Sequence, residues 1–118
     1  MVVNKEVEEK LKLFFEKKKV IGATCIAPIV LARIFGTIFG GKGIDITLGR
    51  SGENWPYSGA IECASKFGNK LVMCDVDEIC KDRYHNIVTT PAYMKGNAKP
   101  HEVFDGIKNM IDAVVKLI

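Results

Sequence analysis

The sequence predicts a layered α/β domain, and two observations carry that prediction. Apolar residues recur at helical spacing in four separated stretches, with short apolar or β-branched runs between them. Glycine, proline and asparagine mark the points where one pattern gives way to the next. The resulting order is helix, strand, helix, strand, helix, hairpin, helix, the alternation of an α/β fold. A length of 118 residues is enough for one domain and not two.

The first helix is predicted over residues 4–18. Asn4 supplies a side-chain cap, and Val7, Leu11, Phe14 and Phe15 form one apolar face. Glutamates open the helix and Lys17, Lys18 and Lys19 close it, in keeping with the helix dipole. A lysine run can bind anions, but at a helix end it is expected to be solvated. Residues 20–24 are apolar without alternation, as in a strand covered on both faces. Pro28 is tolerated in the first turn of the next helix, and Gly36 is its expected stop. The glycine-rich stretch 36–43 contains Lys42, but Gly43 follows where a phosphate-binding loop has Ser or Thr. It is read as a flexible turn.

Residues 44–48 alternate and predict a strand. Residues 49–58 form a polar loop around Trp55, which either walls a pocket or packs back on its own domain. A short helix is expected over 59–67, with Ile61, Ala64 and Cys63 inward. Strand segments follow at 71–74 and 79–81, then a turn at 82–86 and a strand at 87–90, the pair around the turn reading as a β-hairpin. Asp75, Asp77, Glu78 and Asp82 lack the glycine and spacing of a calcium loop. A loop at 95–100 precedes the last helix, which starts near Pro100. Its apolar stripe is Val103, Ile107, Met110, Ile111, Val114, Val115 and Ile118, and Gly106 within it predicts a close approach to the sheet.

Composition narrows the function classes. Hydrophobic residues make up 47% and charged residues 26%, values usual for a globular domain. A net charge of +3 with both signs mixed, and no basic stripe with interleaved aromatics, argues against nucleic acid as a partner. No apolar run approaches the roughly 20 residues of a membrane span, and the charged segment through Lys19 has no signal-peptide pattern. No membrane partner is expected. Cys25, Cys63, Cys74 and Cys80 include no Cys-x-x-Cys pair and are accompanied by two histidines. No metal site and no cofactor are therefore expected, and the thiols are read as free, in a reducing compartment.

Cys25 is the candidate nucleophile. It sits where the strand pattern switches to a helical one, which places its thiol near a helix N-terminus, where thiolates are favoured. Small neighbours, Gly22 and Ala27, suit the sharp turn of a nucleophile elbow with Cys in place of Ser.

Three stretches carry a resemblance. Gly22-Ala23-Thr24-Cys25-Ile26-Ala27-Pro28, Trp55-Pro56-Tyr57-Ser58-Gly59 and Ile87-Val88-Thr89-Thr90-Pro91-Ala92-Tyr93-Met94 resemble the enhancing-lycopene-biosynthesis protein 2 (ElbB-like) family, a branch of the PfpI and class I glutamine amidotransferase-like superfamily. The resemblance implies a flavodoxin-like three-layer sandwich with a β-hairpin and a C-terminal helix. It also implies that residues 1–118 are the C-terminal part of a single glutamine amidotransferase-like domain. A sheet lacking the family's earlier strands is expected to leave an unpaired edge and exposed apolar surface, and hence to self-associate, as a dimer. Mitochondrial and cytoplasmic locations both fit the family.

The activity implied is that of a glyoxalase or deglycase acting on small reactive carbonyls, such as glyoxal to glycolate. Cys25 would attack the aldehyde carbon, and the backbone N–H of Ile26 would stabilise the oxyanion. Thr24, Pro28, Thr90 and Pro91 would line the substrate pocket. Many superfamily relatives carry a histidine directly after the cysteine, where Ile26 stands here, and true amidotransferases a His-x-Glu, where Thr90-Pro91-Ala92 stands. Neither His85 nor His101 matches these patterns, and both are expected to be surface histidines. The competing reading is a non-catalytic thiol protein, a redox sensor or interaction module, or an inactive truncated paralogue.

Overall fold

The structure, a computed structural model, describes residues 1–118. Helix α1 (Lys5–Glu16) begins where Asn4 Oδ1 accepts the N–H groups of Glu6 (2.9 Å) and Val7 (3.2 Å). It ends two residues earlier than the sequence pattern predicts. The Lys19 N–H returns to the Phe14 carbonyl and that of Lys18 to Phe15, with Lys18 in the left-handed region at φ 58°. This is a Schellman termination with lysine where glycine is usual. The three lysines thus follow the helix rather than close its last turn.

Strand β1 (Ile21–Thr24) runs parallel to β5 (Ile87–Thr90), pairing Ile21 with Ile87 and Thr24 with Thr90. Strand β4 (Cys80–Lys81) pairs antiparallel with β5, so the predicted hairpin is present. The order in this sheet is β1-β5-β4, which leaves the other edge of β1 bonded to no strand. Strands β2 (Asp45–Ile46) and β3 (Lys70–Leu71) form a second, parallel pair.

The expected strand over 44–48 is therefore laddered only at Asp45–Ile46, and its alternation does not put a polar face in water. All five residues are buried. The reason is that side chains join β2 to the hairpin. The Asp45 N–H donates to Asp82 Oδ2 (2.6 Å), and the Thr47 N–H donates to Thr89 Oγ1 (3.0 Å). The Asp45 carboxylate accepts from the Arg83 Nε (2.6 Å), Nη2 (3.0 Å) and backbone N–H (3.2 Å). A buried polar side chain is tolerated when it is paired in this way.

Helices α1, α2 (Pro28–Phe35) and α3 (Ser58–Lys66) cover one face. Ile21, Ala23 and Ile87 share a core there with Leu31, Phe35 and Ile46. Trp55 joins this core, and its ring lies so close to Gly49 (φ 94°) that a Cβ there would collide with it. Packing back on the domain is the reading of Trp55 that the structure supports.

Helix α4 (Pro100–Leu117) covers the other face. Gly22 lies under Val114 and Met110, and Gly106 rests against the Val76 carbonyl and Thr90 Oγ1. The close approach predicted for Gly106 is present. Its apolar stripe is only partly used. Val103, Gly106 and Met110 are buried, whereas Ile111, Val115 and Ile118 are 48%, 62% and 91% exposed. The cause is the width of the stripe: the row through Val103, Met110 and Val114 faces the sheet, and Ile111, Val115 and Ile118 lie on the flank beside it.

Candidate functional site

Cys25 follows the last residue of β1 and adopts φ 62°, a left-handed conformation that side chains rarely take. Three local facts hold it there. Its N–H donates to the Thr90 carbonyl (3.1 Å), which extends the β1–β5 pairing by one step. The Thr24 hydroxyl donates to the same carbonyl (3.3 Å). The Ala27 N–H then closes a turn onto the Thr24 carbonyl (3.1 Å), and the N–H groups of Ile29 and Val30 start the helix on the carbonyls of Ile26 and Ala27. Pro28 occupies the first position of α2, where its missing N–H costs nothing. The chain thus passes from strand to helix across Cys25, Ile26 and Ala27. Backbone strain at such a turn is tolerated because the surrounding bonds over-determine it.

The sequence-predicted site residues are brought together, in two roles. Cys25 is half-buried and packs against both core clusters, touching the Val76, Ala92 and Val103 group as well as the main core. Ile26 is exposed, and its N–H donates to no group of the chain. Thr24 is partly buried beside them. Pro28, Thr90 and Pro91 are fully buried. The Thr90 side chain is fixed from behind, its hydroxyl donating to the Glu78 carbonyl (2.8 Å). Ala92, two residues past β5, also has positive φ (49°) and belongs to the small cluster against which Cys25 packs.

The other thiols differ in kind. Burial pushes the Cys74 thiol up, and burial together with the neighbouring Cys74 pushes Cys80 up to about 12. Both are buried on the hairpin side. Cys63 is half-buried on α3.

Neither histidine stands beside the thiol through a bond of the chain. His101 is exposed in the first turn of α4. His85 is not the surface histidine that the sequence suggests. Its ring packs at a tilt against Phe15 (centroids 4.4 Å), and its Nδ1 lies 3.0 Å from Asp82 Oδ1. A carboxylate only accepts, so Nδ1 carries the hydrogen. Asp82 is 2% exposed and also accepts the N–H groups of Asp45, Tyr84 and His85. This pair precedes β5, at the opposite end of the parallel strands from Cys25. No cluster of His, Cys, Asp or Glu has a metal-binding arrangement.

No family model matches the chain. Individual relatives do. The mitochondrial ES1 protein homolog of Rattus norvegicus is 39% identical over 118 residues, which is 98% of this chain and 42% of the relative. The mitochondrial glutamine amidotransferase-like class 1 domain-containing protein 3 of Homo sapiens is 38% identical over the same length, 41% of that protein. A crystal structure of an isoprenoid biosynthesis protein with an amidotransferase-like domain from Ehrlichia chaffeensis superimposes with a TM-score of 0.77 at 29% identity, over 95% of this chain and 47% of that one. Over nearly its whole length the chain is similar to the ES1 and glutamine amidotransferase-like proteins.

The structural match bears out the flavodoxin-like sandwich. The chain spans less than half the length of each of these relatives. No helix is long and apolar enough to cross a membrane.

Proposed function

We propose that this chain carries the thiol half of an ES1-type site that processes small reactive carbonyls through Cys25. The observation that carries the reading is the left-handed Cys25 at the strand-to-helix turn, beside an Ile26 N–H with no partner in the chain. That pairing of a strained nucleophile with a free backbone donor is what an elbow supplies to acyl- and carbonyl-transfer chemistry.

With glyoxal, the thiolate forms a C–S bond to one aldehyde carbon, and the resulting oxyanion takes up a proton to give a hemithioacetal. The Ile26 N–H stabilises that oxyanion as it forms. A base then removes the C–H proton from the thiol-bearing carbon and the proton is delivered to its neighbour. The first carbon is thereby oxidised to a thioester and the second reduced to an alcohol. Water attacks the thioester, the C–S bond breaks, and glycolate leaves with the thiolate regenerated. We assign the base to a carboxylate brought to the elbow by a further segment or a partner copy, because His85 is held by Asp82 at the far end of the strands. The unpaired edge of β1 and the exposed outer residues of α4 make a homodimer our reading of the assembly. The relatives' printed names suggest mitochondria as the location, with the cytoplasm as the other possibility.

The test follows glyoxal conversion to glycolate by NMR for the wild type and Cys25→Ala. Loss of turnover in the variant is expected. Full turnover in Cys25→Ala would sink the mechanism. The missing base favours a second reading, a thiol that oxidises reversibly without turnover. It predicts peroxide-dependent oxidation mapped to Cys25 and no glycolate from either protein.

A further inference from the structure

A cavity of about 750 Å³ lies not at Cys25 but at the other end of the sheet, where β1 and β5 begin. Two sequence features, each unremarkable alone, meet there. The lysines after α1 supply Lys18 and Lys19, and the glycine-rich turn supplies Gly40, Gly41 and Lys42. Lys12 and Glu16 add to the rim, and Glu16 is its one carboxylate. Lys12 reaches Glu8 at 3.7 Å, but Lys18, Lys19 and Lys42 form no ion pair within the chain.

The site is positioned, not merely charged. Lys18 is held at positive φ, and Asn86 Nδ2 donates to its carbonyl (2.7 Å). That bond ties the lysine turn to the start of β5. The His85 ring is fixed by Asp82 on one side and Phe15 on the other, with Nδ1 used, so Nε2 is the nitrogen left for a ligand. Beneath this polar rim the floor is apolar, formed by Phe15, Ile21, Ile34, Phe35 and Ile87, while Tyr84 stands 78% exposed at the edge.

We propose that this cleft binds a small organic anion with a flat apolar body and a phosphate group, of mononucleotide size. The volume lies within the range of small-molecule sites. Unpaired lysines match a phosphate, the free Nε2 of the anchored imidazole can accept a ligand N–H or O–H, and the exposed tyrosine with the apolar floor matches a planar ring. The site is independent of Cys25 chemistry and lies at the opposite end of the parallel strands from it.

The test is isothermal titration of the full chain at low salt with AMP, adenosine and inorganic phosphate. AMP should bind at least about tenfold more tightly than either fragment, because it engages both rim and floor. Lys19→Ala and Lys42→Ala should each weaken AMP roughly fivefold, leave adenosine unchanged and leave the unfolding midpoint in place. Binding of AMP no tighter than that of phosphate, no binding of AMP at all, or variants that bind like the wild type would each overturn the proposal. A single-stranded hexanucleotide that binds far more tightly than AMP would also overturn it, in favour of a polymeric anion.

Discussion

Replacing Gly106 by alanine should destabilise the protein, against the intrinsic preference of the helix. Alanine in a helix interior is favoured over glycine by about 1 kcal/mol. At Gly106 the added Cβ would collide with the Val76 carbonyl and come within 3.2 Å of Thr90 Oγ1. Both neighbours are held, since Val76 is buried and the Thr90 hydroxyl is bonded to Glu78. Overpacking of this kind costs about 1–3 kcal/mol, so the net loss is about 1 kcal/mol, or about 4 °C in Tm for a domain of this size. Gly59, exposed in the first turn of α3 with nothing within 4 Å of its Cβ position, is the internal control. Gly59→Ala should gain about 0.5 kcal/mol. Urea unfolding of both variants measures the difference. The same substitution should also loosen Cys25, whose N–H is bonded to Thr90, so Gly106→Ala should alkylate faster at Cys25 and Gly59→Ala should not. A Gly106→Ala variant as stable as the wild type would refute the packing of α4 on Val76 and Thr90.

Three further outcomes are expected. Lys18→Gly should stabilise by about 1 kcal/mol in urea unfolding, because glycine takes the left-handed position after α1 without strain; a loss of stability would contradict that helix end. Arg83→Ala should destabilise the protein at neutral pH, with a penalty that shrinks on acidification. The Arg83 guanidinium beside Asp45 holds its carboxyl below the usual carboxylate range, so this stability is present above the unfolded value and lost as pH falls through the folded one. A penalty equal at pH 7 and pH 3 would argue against the pair. Alkylation of the folded chain at pH 8 should spare Cys74 and Cys80, whose thiols burial pushes up, and peptide mapping that finds either modified at the rate of Cys25 would contradict their burial.

Much of the fold was legible because its signals are local. Asn4 announced the start of α1, Pro28 that of α2 and Pro100 that of α4, since each acts on groups within one turn of itself. Cys25 could be placed at a strand-to-helix switch for the same reason. The extent of residues 44–48 was not legible. Alternation of Ile and Leu with Asp and Thr normally signals a half-exposed strand, but Arg83, Asp82 and Thr89 lie some forty residues away and satisfy those polar groups in the interior. The α4 stripe misled for a related reason, because periodicity states which face is apolar and not how much sheet lies beneath it. His85 was misjudged because no pattern around it showed that the helix end carrying Phe15 would lie over its ring.

By itself, then, the sequence determined the α/β order, the hairpin, the turn that carries Cys25 and the kinship with ES1 proteins, all of which depend on neighbouring residues or on preserved stretches of chain. Only the tertiary structure decided the left-handed φ of Cys25, which is imposed by its bond to Thr90 across the sheet. It also brought a lysine turn, a glycine turn and a histidine from three distant segments around one cavity. Bonding and packing between residues far apart in the chain set those features, and the closeness they require is created only when the sheet forms.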